Sequence, residues 1–254
     1  YVKKYSVVTR HFRRKIYGHN FCNLPKIHMP MKMLTERDLG MKNTIIFITG
    51  HTGVGKQTVG EVIKEQEGAQ LIHNQLIAMS LFEGAALNGE DVPEENWKSI
   101  VHAFHKMADI VMGITTFAPP DKNIIFTNPL IDGDIKAAGM VDRLQEIALE
   151  RNALFVPVYL ECTNEKEHME RITSEGREKA MKLRNPKIAK RLLDENDPYV
   201  PDHPNVIHID TAGKSKFSVA QAIIEHANNL ALQNNLDMGH DMGQEEAGPQ
   251  ATQS

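Results

Sequence analysis

Apolar residues along the middle of the chain follow two periods. Short apolar runs predict strands at residues 44–49, 70–73, 123–127, 154–162 and 206–210. Between them the apolar positions recur every three to four residues, as helices require. One such segment, from residue 93 to about 112, places Trp97, Ile100, Val101, Phe104, Ala108 and Val111 in a single stripe, so one face of that helix packs on a sheet. Two further helices carry start signals. Asn164 with Glu167 has the spacing of a capping box, and Asn185 before Pro186 is a cap residue followed by proline in the first turn. Alternation of strands and helices implies an α/β architecture with a five-stranded parallel sheet covered on both faces. Chemistry then gathers at the carboxyl ends of the strands: Gly50, His73 and Asn74, Thr127 and Asn128, Glu161 and Cys162, and Asp210 and Thr211.

The first of these strand ends is the most informative. The run TIIFIT leads directly into Gly50, His51, Thr52, Gly53, Val54, Gly55, Lys56, Gln57 and Thr58, and a helix with apolar Val59, Val62 and Ile63 follows. The three glycines let the backbone curl so that successive N–H groups point inward, and the helix adds the positive end of its dipole to this anion cradle. The spacing GxxxxGK between a strand and a helix is that of a phosphate-binding loop, in which Lys56 reaches the terminal phosphates of a nucleotide. One position departs from the pattern. The residue after the lysine usually bears a hydroxyl that holds Mg²⁺, whereas Gln57 stands there and Thr58 comes one place later, so Thr58 is the candidate metal ligand.

With 254 residues, 41% of them hydrophobic and 24% charged, the chain has ordinary globular composition and is long enough for one full core. Cys22 and Cys162 are the only cysteines and lie far apart, which argues against a disulfide framework and fits a reducing cytosol, hence a cytoplasmic protein. No apolar run approaches the roughly 18 residues needed to cross a bilayer, so no membrane partner is expected. Charge is uneven: residues 1–42 hold ten Lys or Arg against Glu36 and Asp38, about +8 within a net −4, leaving about −12 for the rest. That acidic balance argues against nucleic-acid binding by the main domain. The basic leader is compatible with an interaction arm or a transit peptide. A plainer expectation is that Met41 opens the domain and residues 1–40 are a non-essential extension. The domain is expected over residues 41–232, and 233–254, polar and aperiodic, as a disordered tail.

Between the Asn164 and Asn185 caps lies a basic stretch, Arg171 to Arg184, interrupted by Gly176. Downstream of a phosphate loop, such a segment suits a small helical lid over about residues 171–186, its arginines stabilising charge on a transferring phosphoryl group. Arg177 and Lys182 are the candidates, and a solvated helical face explains the same charges. His102, His105 and Asp109 at i, i+3 and i+7 could bind a metal, or be a solvated face.

Taken together, FITGHTGVGKQT, LIHNQLI, IIFTNPLID, the R-x5-R-x4-K-L spacing and HPNVIHIDT resemble bacterial P-loop kinase-like proteins of the shikimate-kinase-like and nucleoside-monophosphate-kinase-like kind, over about residues 41–230. The resemblance implies a three-layer P-loop NTPase fold and use of ATP. By position it implies residues 50–58 at the phosphates, His73 and Asn74 near an acceptor with Thr127 and Asn128, Arg177 and Lys182 in the lid, and Asp210 and Thr211 near adenine. Adenylate kinases, to which the loop is similar, also carry a non-hydroxyl residue after the lysine and Thr next, which preserves a metal role for Thr58.

Other positions depart from that pattern. Small-molecule kinases of this type often place an Asp after the second strand to deprotonate the acceptor, but His73, Asn74 and Gln75 occupy that edge. A neutral histidine can act as the base, and a structural histidine beneath the sheet explains His73 equally well. The third strand ends in Thr127 and Asn128 without a carboxylate, so Mg²⁺ would rely on Thr58, water, or Asp132 and Asp134, which could instead cap the helix starting near Ile135. From Gln57 to Pro120 the only cations are Lys64, Lys98 and Lys106, which disfavours a strongly anionic acceptor. The expected function is ATP-dependent phosphoryl transfer to a hydroxyl-bearing small molecule, with Lys56, Arg177, Lys182, His73 and Asp132 as catalytic candidates. A nucleotide-binding regulator without activity and an NTPase without an acceptor are the alternatives. The expected assembly is a monomer or homodimer.

Overall fold

The run TIIFIT forms β1 (Thr44–Thr49), buried along its whole length, because side chains on both faces of this strand are apolar or β-branched. The structure is a computed structural model that describes residues 40–84, 94–133, 135–174 and 185–241. The leader before residue 40, Cys22, Asp134, the lid candidates Arg177 and Lys182, and residues 242–254 lie outside the described residues.

β1 pairs in parallel with β3 (Ile124–Thr127) on one side and β4 (Leu154–Glu161) on the other. β2 (Gln70–His73) adds to β3 and β5 (Ile207–Asp210) to β4, giving the all-parallel order β2-β3-β1-β4-β5. Phe47 lies opposite Phe126 and Pro157 in this register. Pro157 is tolerated inside β4 because pairing with β5 begins only at Val158, one residue later.

Alternation along β1 separates two cores. Ile46 and Ile48 meet Val59, Val62 and Ile63 of α1 (Lys56–Glu67) and Val219 and Ile223 of the last helix. Ile45 and Phe47 meet Ala108 and Met112 of α3 (Glu94–Ile114), and Leu144 and Ile147 of α4 (Ile135–Arg151). The result is three layers, helix on sheet on helix. In α3 the packed seam is carried by Phe104, Met107, Ala108, Val111 and Met112, while Val101, which the periodicity put in the stripe, is 39% exposed at its margin. α2 (Asn74–Gly84) starts with no intervening loop after β2. The chain continues through α5 (Glu165–Thr173) and α6 (Pro186–Glu195) to α7 (Lys216–Asp241). α7 runs nine residues past the boundary placed at 232, since Leu232, Leu236 and Met238 keep a helical pattern and no proline interrupts it. Among the described residues no helix is long and apolar enough to cross a membrane.

The strand order reverses direction between β1 and β3, so the loops leaving their carboxyl ends diverge and open a crevice there. The opposite edge of the sheet is sealed by polar side chains. Asn123 accepts from Thr44 N (3.0 Å) and donates to Met41 O (2.7 Å). Arg151 is buried and donates to the carbonyls of Thr115 (2.9 Å), Ala118 (2.9 Å), Pro119 (3.0 Å) and Lys122 (3.1 Å). One guanidinium thus takes up four carbonyls of the connection between α3 and β3. Arg151→Leu orphans those acceptors, and we expect a loss of roughly 3 kcal/mol in urea unfolding; a loss under about 1 kcal/mol would show that water replaces the guanidinium.

Candidate functional site

The crevice is a cleft of about 1080 Å³ lined by residues 50–59, by Asn74, Gln75 and Ala78 of α2, by the loop after β3, and by parts of α5, α6 and the β5–α7 loop. All nine residues assigned to the phosphate loop line it, from Gly50 to Thr58. Gly50, Gly53 and Gly55 have φ of 128°, 91° and 96°, conformations that glycine alone adopts cheaply, so the loop curls as its sequence requires. Lys56 opens α1 and is only 8% exposed; its Nζ donates to Gly50 O and His51 O, each at 2.7 Å. The lysine therefore lies across the loop, its charge held by carbonyl dipoles in a largely desolvated position. His51 lies beside it with its pKa pushed down, first by burial, then by His168 and Lys56, against an opposing pull from Asp197. Thr58 is exposed within the cleft, whereas Gln57 donates through Nε2 to Glu61 Oε1 at 2.9 Å.

The expected capping box at α5 is only half formed. Asn164 Oδ1 accepts from Glu167 N at 3.1 Å, but the Glu167 carboxylate turns away to accept from Gly213 N (2.9 Å) and Arg171 Nη2 (2.5 Å). The amide of Gly213, assisted by Arg171, holds Glu167 below the usual carboxylate range. A guanidinium and a free amide outcompete the helix's own N-cap amide for this carboxylate. Arg171, placed by sequence at the start of a lid, instead belongs to α5 and fastens it to the β5 end, donating to Thr211 Oγ1 and Thr211 O at 2.9 Å each. Thr211 lines the cleft. Asp210 does not: it accepts from Thr163 Oγ1 (2.6 Å), Thr163 N (3.1 Å) and Ala212 N (3.0 Å), which tie β4 to β5 and lower its pKa to about 2.

The four acceptor candidates His73, Asn74, Thr127 and Asn128 come together around a second cavity of about 30 Å³, roughly the space of one water. Asn74 and Thr127 line both this cavity and the main cleft, while His73 and Asn128 line only the small one. Asn128 Nδ2 points to Met140 Sδ at 3.2 Å. Asp132 lies outside the cleft lining; its amide donates to Asp197 O at 2.8 Å, and with the Ile131–Pro198 bridge and the Tyr199 N to Leu130 O bond (3.0 Å) this joins the loop after β3 to the loop after α6. Among the described residues no group of three His, Cys, Asp or Glu could hold a metal, His102, His105 and Asp109 included; Asp109 pairs with Arg143 at 3.9 Å.

Two groups escaped the sequence reading, and a third, Gln75, was noted at its strand end without a role. Gln75, only 8% exposed, faces the cleft; Leu192 and Leu193 of α6 add an apolar wall; and His168 of α5 is buried against the phosphate loop, its Nε2 2.7 Å from Thr52 O. The signals were faint: an amide next to His73 and Asn74 at a strand end, and a histidine at i, i+4 with Ile172 in an otherwise polar helix.

No protein-family model matches the chain. No curated protein matches it either. A solved gluconokinase from Sinorhizobium meliloti 1021 aligns over 77% of this chain and 97% of its own, with a TM-score of 0.51 at 13% identity. The fold, a five-stranded parallel sheet between helices, is shared with that structure. The chain is also similar to a shikimate kinase from Acinetobacter baumannii in complex with shikimate (19% identity, 76% and 95% of the two chains, TM-score 0.43) and to an APS kinase from Mycobacterium tuberculosis in complex with AMPPNP and APS (15%, 73% and 98%, 0.44).

Proposed function

We propose that this chain is an ATP-dependent phosphotransferase acting on an uncharged, hydroxyl-bearing small molecule. The observation that carries the proposal is that the cleft has two parts. Beside the glycine loop with its buried Lys56 stands a second wall of Asn74, Gln75, Ala78, Thr127 and Leu130, which a triphosphate alone would not need. Loop amides of residues 50–58 and the Lys56 ammonium suit the phosphates, and the Thr58 hydroxyl suits the oxygen shell of Mg²⁺. When bound, Mg²⁺ supplies neutralisation of charge on the phosphate oxygens. Thr211, Lys214 and Lys216 suit the far end of the nucleotide; Arg177 and Lys182, outside the described residues, are proposed for closure from their sequence spacing alone.

Cations of the described lining, Lys56, Arg171, Lys214 and Lys216, all belong to the phosphate loop or the α5 and β5 side. The second wall offers amides and a threonine hydroxyl, which pair with hydroxyl groups but give a carboxylate or phosphate no counter-charge. For the acceptor proton the candidates are His73 and Asp132: neither lines the cleft itself, and each has a chain neighbour there, Asn74 and Ile131. Catalysis would rest on positioning and on electrostatic stabilisation. A second reading, a nucleotide-binding regulator, is favoured by the amide of Asn128 at the end of β3, directed at Met140, and by Gln57 pairing with Glu61.

The test is ADP release from ATP over a panel of neutral polyols alongside their carboxylated and phosphorylated counterparts. Stimulation by neutral members alone is expected. Stimulation only by anionic members overturns the acceptor class, unstimulated turnover identifies an NTPase, and ATP binding without turnover identifies the regulator.

A further inference from the structure

We infer that His168 is a positioning residue for the phosphate loop, acting from behind it through the Thr52 carbonyl. His168 is 6% exposed, sits in the second turn of α5, and its Nε2 lies 2.7 Å from Thr52 O across 116 residues of sequence. A carbonyl oxygen only accepts, so Nε2 carries the proton and donates. The peptide joining Thr52 to Gly53 is planar and trans, which sets its C=O and N–H on opposite sides. Anchoring the Thr52 carbonyl towards α5 therefore turns the Gly53 N–H the other way, into the cradle that the loop forms on the cleft side.

Packing supports the same assignment. Gly53 has φ of 91°, and a Cβ built there would stand 2.5 Å from Ile172 Cγ1 and 3.1 Å from the His168 ring, so α5 presses directly on this peptide. His168 and Ile172, at i and i+4, share the helix face that supports the loop, while Arg171 on the same helix fastens it to Thr211. Without the imidazole donor the peptide loses its anchor and the Gly53 amide its fixed direction. No step of phosphoryl transfer passes through His168; it sets the geometry of a group that touches phosphate.

The inference rests on the proposed phosphate-binding role of the loop, and two measurements separate the claims. In the wild-type protein without nucleotide, NMR should show a slowly exchanging His168 Nε2–H with a coupling across the hydrogen bond to the Thr52 carbonyl carbon; a His168 ring protonated only at Nδ1 overturns the inference whatever the loop binds. In calorimetry with ATP, His168→Leu should weaken binding about tenfold, while His168→Gln, whose side-chain amide can donate from a similar position, should stay within about threefold of wild type and His168→Asn should resemble His168→Leu. Unchanged ATP affinity in a folded His168→Leu protein, or no difference between Gln and Asn, overturns it. A wild-type protein that shows the coupling but does not bind ATP removes the parent proposal and with it the phosphate role of this anchor.

Discussion

Lys56→Met is expected to lower ATP-dependent turnover by about 10²–10³-fold, with a larger loss of affinity for ATP than for adenosine. The lysine is buried against the loop, and its two carbonyl acceptors at 2.7 Å lie on the loop itself. Its ammonium can therefore exchange a carbonyl for a phosphate oxygen without leaving the site, and charge-assisted bonds of this kind are about twice as strong as neutral ones. Methionine keeps most of the length of the side chain but removes the charge. The carbonyls of Gly50 and His51 lose this donor, so thermal unfolding should also show a loss of about 1–3 kcal/mol, and turnover is compared on the folded variant. Turnover within threefold of wild type would show that Lys56 is a structural cation and that the phosphate assignment of residues 50–58 is wrong.

What the sequence made visible follows from which interactions leave a periodic trace. Strands buried on both faces must be apolar at every position, so β1, β3 and β4 stand out as runs, and the boundaries of β1 and β2 agree with their pattern. The loop at residues 50–58 is legible because glycine is required where φ is positive, as at Gly50 and Gly53. The rest of the site depends on contacts between segments distant in sequence. Nothing local marks His168 as the partner of Thr52, or Glu167 as shared between Arg171 and Gly213. The polar run that contains them reads as a solvated helix, and its cap signal suggested the wrong partner for Glu167. Likewise Asp210 looked like a ligand group at a strand end, but the amides of Thr163 and Ala212 lay within reach and claimed it.

Substitutions at two glycines of the loop should differ sharply although both have positive φ. At Gly50, φ of 128° and a built Cβ only 2.0 Å from Leu160 O mean that any side chain collides with the backbone of β4, the strand paired with β1. Neither partner can yield without separating two central strands. Gly50→Ala should cost roughly 4 kcal/mol or more, enough to leave much of a domain of ordinary stability unfolded at 37 °C. At Gly55, φ is 96° but nothing lies within 4 Å of a built Cβ, so Gly55→Ala meets only the backbone penalty of about 1–2 kcal/mol. Urea midpoints of the two variants against wild type decide the matter. Equal losses would mean that the close approach of the loop to Leu160 relaxes readily, and that the glycine loop owes its shape to local glycine conformation rather than to its seat against the central sheet.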